Sequence, residues 1–495
     1  MLSAVEQKRL QLSKSTGAER KSQFGQFLTP ERTAAFMAGL FPDGTGNCRL
    51  LDAGAGIGSL SAAFLERWRA GGFHFQRVEM DAFELDHALM PHLSHTLERY
   101  KYKGDFSANI YGEDFIYAAV ESLSGDLFSS KALESYTHAI LNPPYKKINS
   151  NSAYRFALRR IGIETVNLYS AFVALAVALT VPGGQIVAII PRSFCNGPYY
   201  RPFRDFILER AAIRHLHLFE SRNRAFKDDD VLQENIIIRL ERGSQQGAVT
   251  VSVSTDDTFG DLTSHEHPFE RIVFPDAPER FIHVPTSPEK NAIELFPAIR
   301  YTLADLSINV STGPVVDFRL KPHLRDMPEP CTVPLLYPGH FSSSGTTWPI
   351  EGMKKPNAIM RNADTEKWLF PIGFYCVVRR FSSKEEQRRV VAGVVEPRAF
   401  VHMPMLGFEN HLNVFHENKQ GLPEAMARGL ALFLNSTAVD ENFRRFSGHT
   451  QVNATDLKLM KYPSRDTLIR LGEWARLQGV ITQAMIDAKL ETLTE

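Results

Sequence analysis

The sequence is poor in cysteine and carries no excess charge of either sign. Only four of its 495 residues are cysteines, and Lys+Arg and Asp+Glu each count 56. No two cysteines form a C-x-x-C pair, so neither a zinc site nor a redox couple is signalled, and a reducing cytosol fits. Because the net charge is zero, a nucleic-acid partner would have to meet a local basic face.

Long hydrophobic runs are also lacking. The longest apolar stretch, residues 170–181, is too short for a bilayer span, which needs about 20 residues. The N-terminal segment has no apolar core of signal-peptide length. With 43% hydrophobic and 23% charged residues, the composition excludes a disordered chain and predicts a globular protein of two or three domains. We expect a cytoplasmic protein without a membrane partner.

The first half of the sequence alternates strand-like and helix-like segments. Short apolar strands separated by helices predict an α/β fold with a mostly parallel sheet covered on both faces. Pro182–Gly184 is predicted to be a turn before the fourth strand. The predicted strands are Arg49–Ala53, Val78–Leu85, Tyr136–Leu141, Gln185–Ile190 and Ile236–Leu240, and the predicted helices are Ser59–Arg69 and Leu168–Thr180.

The second half has a different texture. Short strands, prolines and aspartates mix over residues 249–300, and turn signals without α/β alternation follow, with one clear helix at Pro423–Asn435. The sequence therefore predicts a catalytic domain at 1–245, a connecting segment at 246–300 and a second, α+β domain at 301–495.

A glycine-rich loop lies between the first strand and the first helix. It reads Asp52-Ala53-Gly54-Ala55-Gly56-Ile57-Gly58. Glycines allow a tight turn and a close approach of a ligand to a helix N-terminus. A dinucleotide fingerprint would need glycine where Ser59 stands. The spacing instead resembles motif I of S-adenosylmethionine-dependent methyltransferases, which implies that Asp52, Gly54 and Gly56 bind that cofactor.

Acidic residues downstream support this interpretation. An acid at the end of the second strand can accept hydrogen bonds from both ribose hydroxyls, and Glu84 best fits that role. Glu79 and Asp81 lie nearby and leave the register open. Asp114 is expected to accept from the adenine amino group of the cofactor, with Phe115 packing on the ring.

The segment Asn142-Pro143-Pro144-Tyr145 follows the third predicted strand and carries the most specific signal. The amino group of a nucleobase is a poor nucleophile because its lone pair is delocalised into the ring. Two acceptors, the side-chain oxygen of Asn142 and the carbonyl of Pro143, can localise that pair, and the prolines preorganise them. Tyr145 would stack on a base that has left the duplex. Such a transfer needs no metal.

Together these motifs resemble the gamma-class amino-methylating DNA methyltransferases, with a catalytic domain like that of the TaqI enzymes. The motif that comes first along the chain in that class, motif X, has a counterpart in Gln23–Pro30. This resemblance implies that Phe27 and Thr29 lie at the cofactor. Phe226 stands where the family has a second aromatic residue against the flipped base. The match covers roughly residues 20–245, and Asn167–Phe172 also follows its pattern.

A second resemblance covers Ser447–Leu457, which is similar to a loop of PstI-type adenine methylases and, more distantly, to recognition domains of type I specificity subunits. It implies a bacterial restriction–modification enzyme that methylates N6 of adenine in double-stranded DNA. Residues 301–495 would recognise the target, a short palindrome containing adenine. A cognate restriction endonuclease, if there is one, is expected on another chain.

Two groups of residues are expected to contact DNA. Residues 144–160 contain five basic residues and no acid, just after the catalytic loop, which favours phosphate binding. Seven arginines between Arg192 and Arg224 are expected to continue this basic face. Donors and acceptors in the later loop are expected to read base edges or grip phosphate. The residues concerned are Lys146, Lys147, Arg155, His449, Thr450, Gln451 and Asn453.

Several alternatives stay open or are excluded. Similar catalytic motifs occur in RNA adenine and protein glutamine N-methyltransferases, but the long stretch beyond residue 245 favours DNA recognition. N4-cytosine methylation is another option, although Asn142 rather than serine before Pro-Pro favours adenine. C5-cytosine methylation is excluded because Pro330-Cys331 and Glu234-Asn235-Ile236 stand in the wrong order. The intact motifs argue against a non-catalytic DNA-binding subunit.

Overall fold

The structure is a computed structural model that divides into two compact units, Met1–Pro288 and Glu289–Glu495. It describes residues 2–15, 28–101, 105–125, 133, 135–220, 234–275, 277–289, 293, 296–342, 345–382, 386–447 and 450–494. Within that part of the chain, no helix combines the length and the apolar character needed to cross a membrane.

The first unit is built on a nine-stranded sheet. Its strands are β1 (Thr45–Ala53), β2 (His74–Phe83), β3 (Phe106–Tyr111), β4 (Tyr136–Leu141), β5 (Thr180–Pro191), β6 (Ala211–Phe219), β7 (Asn235–Arg242), β8 (Val249–Ser254) and β9 (Thr263–His267). The order is β3-β2-β1-β4-β5-β7-β6-β8-β9. The first five strands in that order pair in parallel, and β7 runs antiparallel between β5 and β6.

Helices cover both faces of this sheet. They are α1 (Leu2–Ser15), α2 (Glu31–Gly39), α3 (Ser59–Arg69), α4 (Met90–Glu98), α5 (Phe115–Leu123), α6 (Ala153–Arg160), α7 (Leu168–Leu179), α8 (Arg201–Arg210) and α9 (Phe269–Ile272). Successive residues of a strand face opposite sides. In β1, Leu50 therefore joins the apolar cluster with α2 and α3, and Leu51 joins the cluster with α5 and α7. The predicted α/β fold class is confirmed.

Several predicted bounds differ from the structure, and strands β3 and β6 were not predicted. Strand β2 ends at Phe83, so Glu84 follows the strand instead of belonging to it. The predicted turn at Pro182–Gly184 is wrong as a strand boundary, because β5 already begins at Thr180. The turn is instead absorbed as a bulge, since Tyr136 pairs with Thr180 but His138 pairs with Gln185.

Residues 249–267, which the sequence analysis placed in a connecting segment, form β8 and β9 of the large sheet. β8 pairs in parallel with β6, and β9 pairs antiparallel with β8. The alternating Val249, Val251 and Val253 are buried in the apolar cluster that contains α5 and α7, which explains why this polar-looking stretch continues the sheet.

The second unit contains small sheets followed by helices. Its strands are β10 (Asn309–Thr312), β11 (Leu324–Arg325), β12 (Thr332–Leu336), β13 (Phe341–Ser342), β14 (Gly345–Thr346), β15 (Ala358–Met360), β16 (Leu369–Pro371), β17 (Tyr375–Arg379), β18 (Ala392–Val395), β19 (Met405–Phe408) and β20 (Leu412–His416). A four-stranded antiparallel sheet has the order β10-β20-β17-β18, a five-stranded mixed sheet has the order β11-β15-β12-β19-β16, and β13 pairs with β14.

Five helices end this unit. They are α10 (Glu424–Leu434), α11 (Thr437–Phe446), α12 (Ala454–Leu459), α13 (Arg465–Arg476) and α14 (Gln483–Thr494). The helix predicted at Pro423–Asn435 is confirmed as α10, with Pro423 and Asn435 as its caps. The mixture of strands and helices agrees with the α+β class expected for this half.

Candidate active site

The site begins where the strand order of the large sheet reverses. β1 and β4 pair in parallel, so their carboxyl ends lie at the same edge, and ligands of open α/β sheets bind at such a point. Gly54 follows β1 directly, and Asn142 follows β4 directly. A Cβ atom on Gly54 would lie 3.8 Å from the carbonyl oxygen of Asn142. The fold therefore brings the glycine loop and the Asn-Pro-Pro-Tyr segment together.

The glycine loop is held against the end of β2. Gly54 and Gly56 have φ angles of 79° and 59°, a region that favours glycine. The N–H groups of Gly54 and Ala55 both donate to the carbonyl of Phe83 at 2.9 Å. The N–H of Gly56 donates to the Glu84 carboxylate at 2.8 Å, and the N–H of Asp86 donates to the other oxygen at 2.6 Å. Two backbone donors thus fix the predicted ribose-binding acid in place.

Asp52 lies inside β1 and is fully buried. The hydroxyl of Ser61, in the first turn of α3, donates to its carboxylate. Burial raises the pKa of Asp52 to about 7, against the lowering effect of the Ser61 hydrogen bonds. The Asp52–Ser61 bond spans the glycine loop from strand to helix, so in this structure the side chain braces the loop.

A cleft of about 300 Å³ opens beside the loop. Its lining contains eight of the residues that the sequence analysis singled out, from four separate segments. They are Gly54, Glu84, Asp114, Phe115, Asn142, Pro144, Lys146 and Lys147. Asp52 and Gly56 are not among the described residues of this lining.

Asp114 and Phe115 form one side of the cleft. Asp114 caps α5 by accepting from the N–H of Ile116 at 2.9 Å, and its other oxygen accepts from the hydroxyl of Tyr154. Phe115 is buried against Phe83 and Phe172, with ring centroids 5.2 and 5.1 Å away. The sequence analysis missed Tyr154, because no motif spacing connects α6 with α5.

The Asn-Pro-Pro-Tyr segment is tied to two other parts of the first unit. The side-chain nitrogen of Asn142 donates to the hydroxyl oxygen of Thr29 at 2.9 Å. The hydroxyl of Tyr145 lies 3.3 Å from both the side-chain oxygen of Asn142 and the carbonyl of Ile189. Burial raises the pKa of Tyr145, so its hydroxyl stays protonated and can donate. Pro143 is buried and Pro144 half-buried.

The basic residues after this segment differ in their surroundings. Lys146, Lys147 and Arg159 are exposed, and Arg155 is half-buried. Arg155 and Arg159 form ion pairs with Glu164, with Nε–Oε distances of 2.6 and 2.5 Å. Glu164 lies just outside the acid-free stretch, which explains why counting charges over residues 144–160 did not reveal the pairing.

The expected continuation of the basic face through Arg192 and Arg204 is wrong. Both side chains are buried. Arg192 pairs with Glu234 at 3.0 Å, and Arg204 donates to the backbone carbonyls of Phe194 and Gly197. These arginines hold loops of the first unit together instead of facing solvent.

The remaining predicted DNA contacts belong to the second unit. Residues 450–452 lie beside residues 380–382. The N–H of Ser382 donates to the backbone carbonyl of Thr450, and the N–H of Val452 donates to the backbone carbonyl of Arg380. The side-chain oxygen of Gln451 accepts from Arg380 at 3.4 Å, and Thr450 is exposed. Asn453 is the N-cap of α12, where its N–H and its side-chain nitrogen both donate to Asp456 at 3.1 Å. Phe27, Phe226 and His449 lie outside the described residues.

Comparison with known proteins gives one family. A family model described as Eco57I restriction-modification methylase matches residues 79–226. The chain is 54% identical over 479 residues to the type II methyltransferase M.BsuBI of Bacillus subtilis, covering 96% of this chain and 95% of that protein. It is 42% identical over 480 residues to the type II methyltransferase M.PstI of Providencia stuartii, covering 94% and 93%.

A solved structure shares the fold. The cryo-EM structure of a DrdV–DNA complex superposes with a TM-score of 0.53 at 12% identity, over 95% of this chain and 59% of that chain. The sequence matches confirm the resemblance to restriction–modification methylases of the PstI type that the motifs indicated.

Proposed function

The chain belongs to the family of type II restriction–modification DNA methyltransferases, and on that premise we propose that it methylates the N6 amino group of adenine at a specific site in duplex DNA. The observation that carries the proposal is the position of Asn142, which follows β4 at the edge of the sheet where Gly54 follows β1. Asn142 shares its cleft with Glu84, Asp114 and Phe115.

The residues of the cleft fit S-adenosylmethionine. The glycine loop leaves room for close approach, Glu84 can accept from ribose hydroxyls, and Asp114 can accept from an adenine amino group beside Phe115. Both carboxylates are already oriented, by backbone donors and by Tyr154 respectively. When bound, this cofactor supplies a methyl group that its sulfonium has already activated.

The catalytic residues of this proposal act on the amino group of the target base. The side-chain oxygen of Asn142 and the carbonyl oxygen of Pro143 accept hydrogen bonds from its two N–H groups and localise the nitrogen lone pair. These two acceptors stabilise the transition state only if they are held in place before the reaction. The burial of Pro143 and the hydrogen bond of Asn142 to Thr29 hold them there. No metal is needed, because neither acceptor has to be generated by deprotonation.

The target base must leave the duplex to reach Asn142, and we propose that Tyr145 and Phe226 pack against it. Lys146 and Lys147, exposed at the cleft, would neutralise nearby phosphates. Residues 301–495 would choose the sequence, with Thr450 and Gln451 as candidate contacts and His449 beside them. A restriction endonuclease acting on the same site would be a separate chain.

Analysis of the modified nucleoside tests the base that receives the methyl group. Unmethylated DNA is incubated with the protein and S-adenosylmethionine, digested to nucleosides and examined by mass spectrometry. N6-methyl-2′-deoxyadenosine is expected as the sole new nucleoside. N4-methyl-2′-deoxycytidine would reassign the target, and unmodified DNA together with methylation of RNA in a parallel incubation would overturn the proposal. The Asn142→Ala protein is the matched blank.

A further inference from the structure

Leu28 and Thr29, just before α2, reach two different motifs of the active site. A Cβ atom on Gly56 would lie 2.9 Å from Cδ2 of Leu28, so Leu28 packs on the glycine loop. The hydroxyl of Thr29 accepts from the side-chain nitrogen of Asn142 at 2.9 Å, and Thr29 is 4% exposed. The motif resemblance placed Thr29 at the cofactor, but its side chain bonds to the proposed catalytic asparagine.

The direction of the Asn142 amide decides whether it can help the reaction. One end of the amide is an oxygen that accepts, and the other is an NH₂ group that only donates. An amino group can donate its N–H bonds only to an acceptor, so a rotation of the amide by half a turn would set donor against donor. Something must therefore distinguish the two orientations.

Tyr145 alone does not distinguish them. Its hydroxyl lies at the same 3.3 Å from the side-chain oxygen of Asn142 and from the carbonyl of Ile189. If the single proton of Tyr145 goes to Ile189, its oxygen is an acceptor and would tolerate the NH₂ end of the amide equally well. The bond from Asn142 to Thr29 is shorter, at 2.9 Å, and in it the NH₂ end of the amide donates to the hydroxyl oxygen of Thr29.

We propose that Thr29 is a positioning residue, whose hydroxyl oxygen holds the NH₂ end of Asn142 and thereby keeps the side-chain oxygen aimed at the target amino group. The same bond polarises the amide and raises the electron density on that oxygen. The proposal rests on the proposed function, since it needs Asn142 as an acceptor. It differs from a cofactor role, because the Thr29 hydroxyl bonds to the Asn142 side chain.

The test compares Thr29→Val, which keeps the shape and removes the hydroxyl, with Thr29→Ser, which keeps the hydroxyl. Single-turnover methyl transfer is measured on sites that the wild-type protein methylates, at saturating cofactor and DNA, together with cofactor affinity by calorimetry. Loss of one hydrogen bond in a preorganised site should slow Thr29→Val by about 10- to 100-fold. Cofactor affinity should stay within about twofold, and Thr29→Ser should recover most of the rate.

Each other outcome has a defined meaning. A normal rate in Thr29→Val, or a weakened cofactor affinity with a normal rate at saturation, overturns the positioning role; the second result would restore the cofactor role. Thr45→Val, an exposed position at the start of β1, is the matched control and should change neither quantity. If Thr29→Val does not fold, Thr29→Ala removes the same hydroxyl without adding a methyl group and decides the question.

Asn142→Ala separates this proposal from the proposed function. A dead Asn142→Ala protein with a fully active Thr29→Val protein would remove only the positioning role. An active Asn142→Ala protein would remove the proposed mechanism itself, whatever Thr29→Val does.

Discussion

Two polar regions of the chain, the carboxyl edge of the large sheet and residues 450–456, use their hydrogen bonds differently. At the sheet edge, Glu84, Asp114 and Asn142 are each held by neighbours while they still line a cleft. In residues 450–456, Asn453 bonds to Asp456 at the start of a helix, and Asp456 is fully buried. The first set is oriented toward a cavity, and the second set largely builds its own local structure.

The comparison teaches how to rank polar residues that a motif brings to attention. A side chain that caps a helix satisfies the backbone and has little left for a ligand. Gln451 differs from Asn453, since its side-chain oxygen accepts from Arg380, a side chain that can exchange it for a phosphate or a base edge. Within this loop, Gln451 is therefore the better candidate for DNA contact.

The largest effect is expected at the glycine loop. Gly56→Val places a β-branched side chain at a φ of 59°, and its Cβ would lie 2.9 Å from Leu28. Either the Leu28 side chain or the loop must shift, and a shift of the loop would move Glu84, because the Gly56 N–H donates to that carboxylate. We expect calorimetry to show cofactor affinity reduced by about 10- to 100-fold or more, from strain on the order of 1–3 kcal/mol plus the lost approach.

Gly71→Val is the matched control for backbone strain. Gly71 has a φ of 81°, but nothing lies within 4 Å of the Cβ position. This variant should lose some stability and keep its cofactor affinity. Equal cofactor affinity in the two variants would mean that Gly56 serves only the backbone turn. It would contradict the assignment of the sheet edge to cofactor binding.

The smaller effects are expected in residues 450–456. Gln451→Ala should relax discrimination between cognate and single-mismatch duplexes by about 1–3 kcal/mol if Gln451 reads a base, with little change in stability. Asn453→Ala should instead lower the free energy of unfolding by about 1 kcal/mol, as expected for a helix cap, with discrimination unchanged. Denaturant unfolding and methylation of paired duplexes measure the two quantities. The reverse pattern would exchange the roles of the two residues.

The catalytic fold could be predicted from the sequence because its signals are local. Strands such as Tyr136–Leu141 are short apolar runs, and the helix Ser59–Arg69 begins directly after a glycine with a left-handed backbone. One bound shifted because pairing overrode propensity, at Thr180, where a bulge hides the turn. Fewer elements of the second unit could be predicted, because strands of two to five residues leave no periodic pattern in the sequence.

The site could be predicted only where its residues belong to motifs. Eight of them line one cleft, because strand ends meet at one edge of a parallel sheet. The contacts of Tyr154 with Asp114 and of Thr29 with Asn142 join segments far apart in the chain. Likewise, Glu164 neutralises Arg155 from outside the stretch in which charges were counted. Such pairings depend on tertiary structure and have no sequence periodicity.

The central claim is that Asn142 acts on the target base and not on the cofactor. The most direct measurement is transfer of a tritiated methyl group from S-adenosylmethionine to DNA by Asn142→Ala, with cofactor affinity determined on the same protein. Asn109→Ala, which changes an exposed asparagine of β3, is the control. The account predicts a loss of at least about 100-fold in transfer, with cofactor affinity and the control unchanged. Near-normal transfer by Asn142→Ala would contradict it.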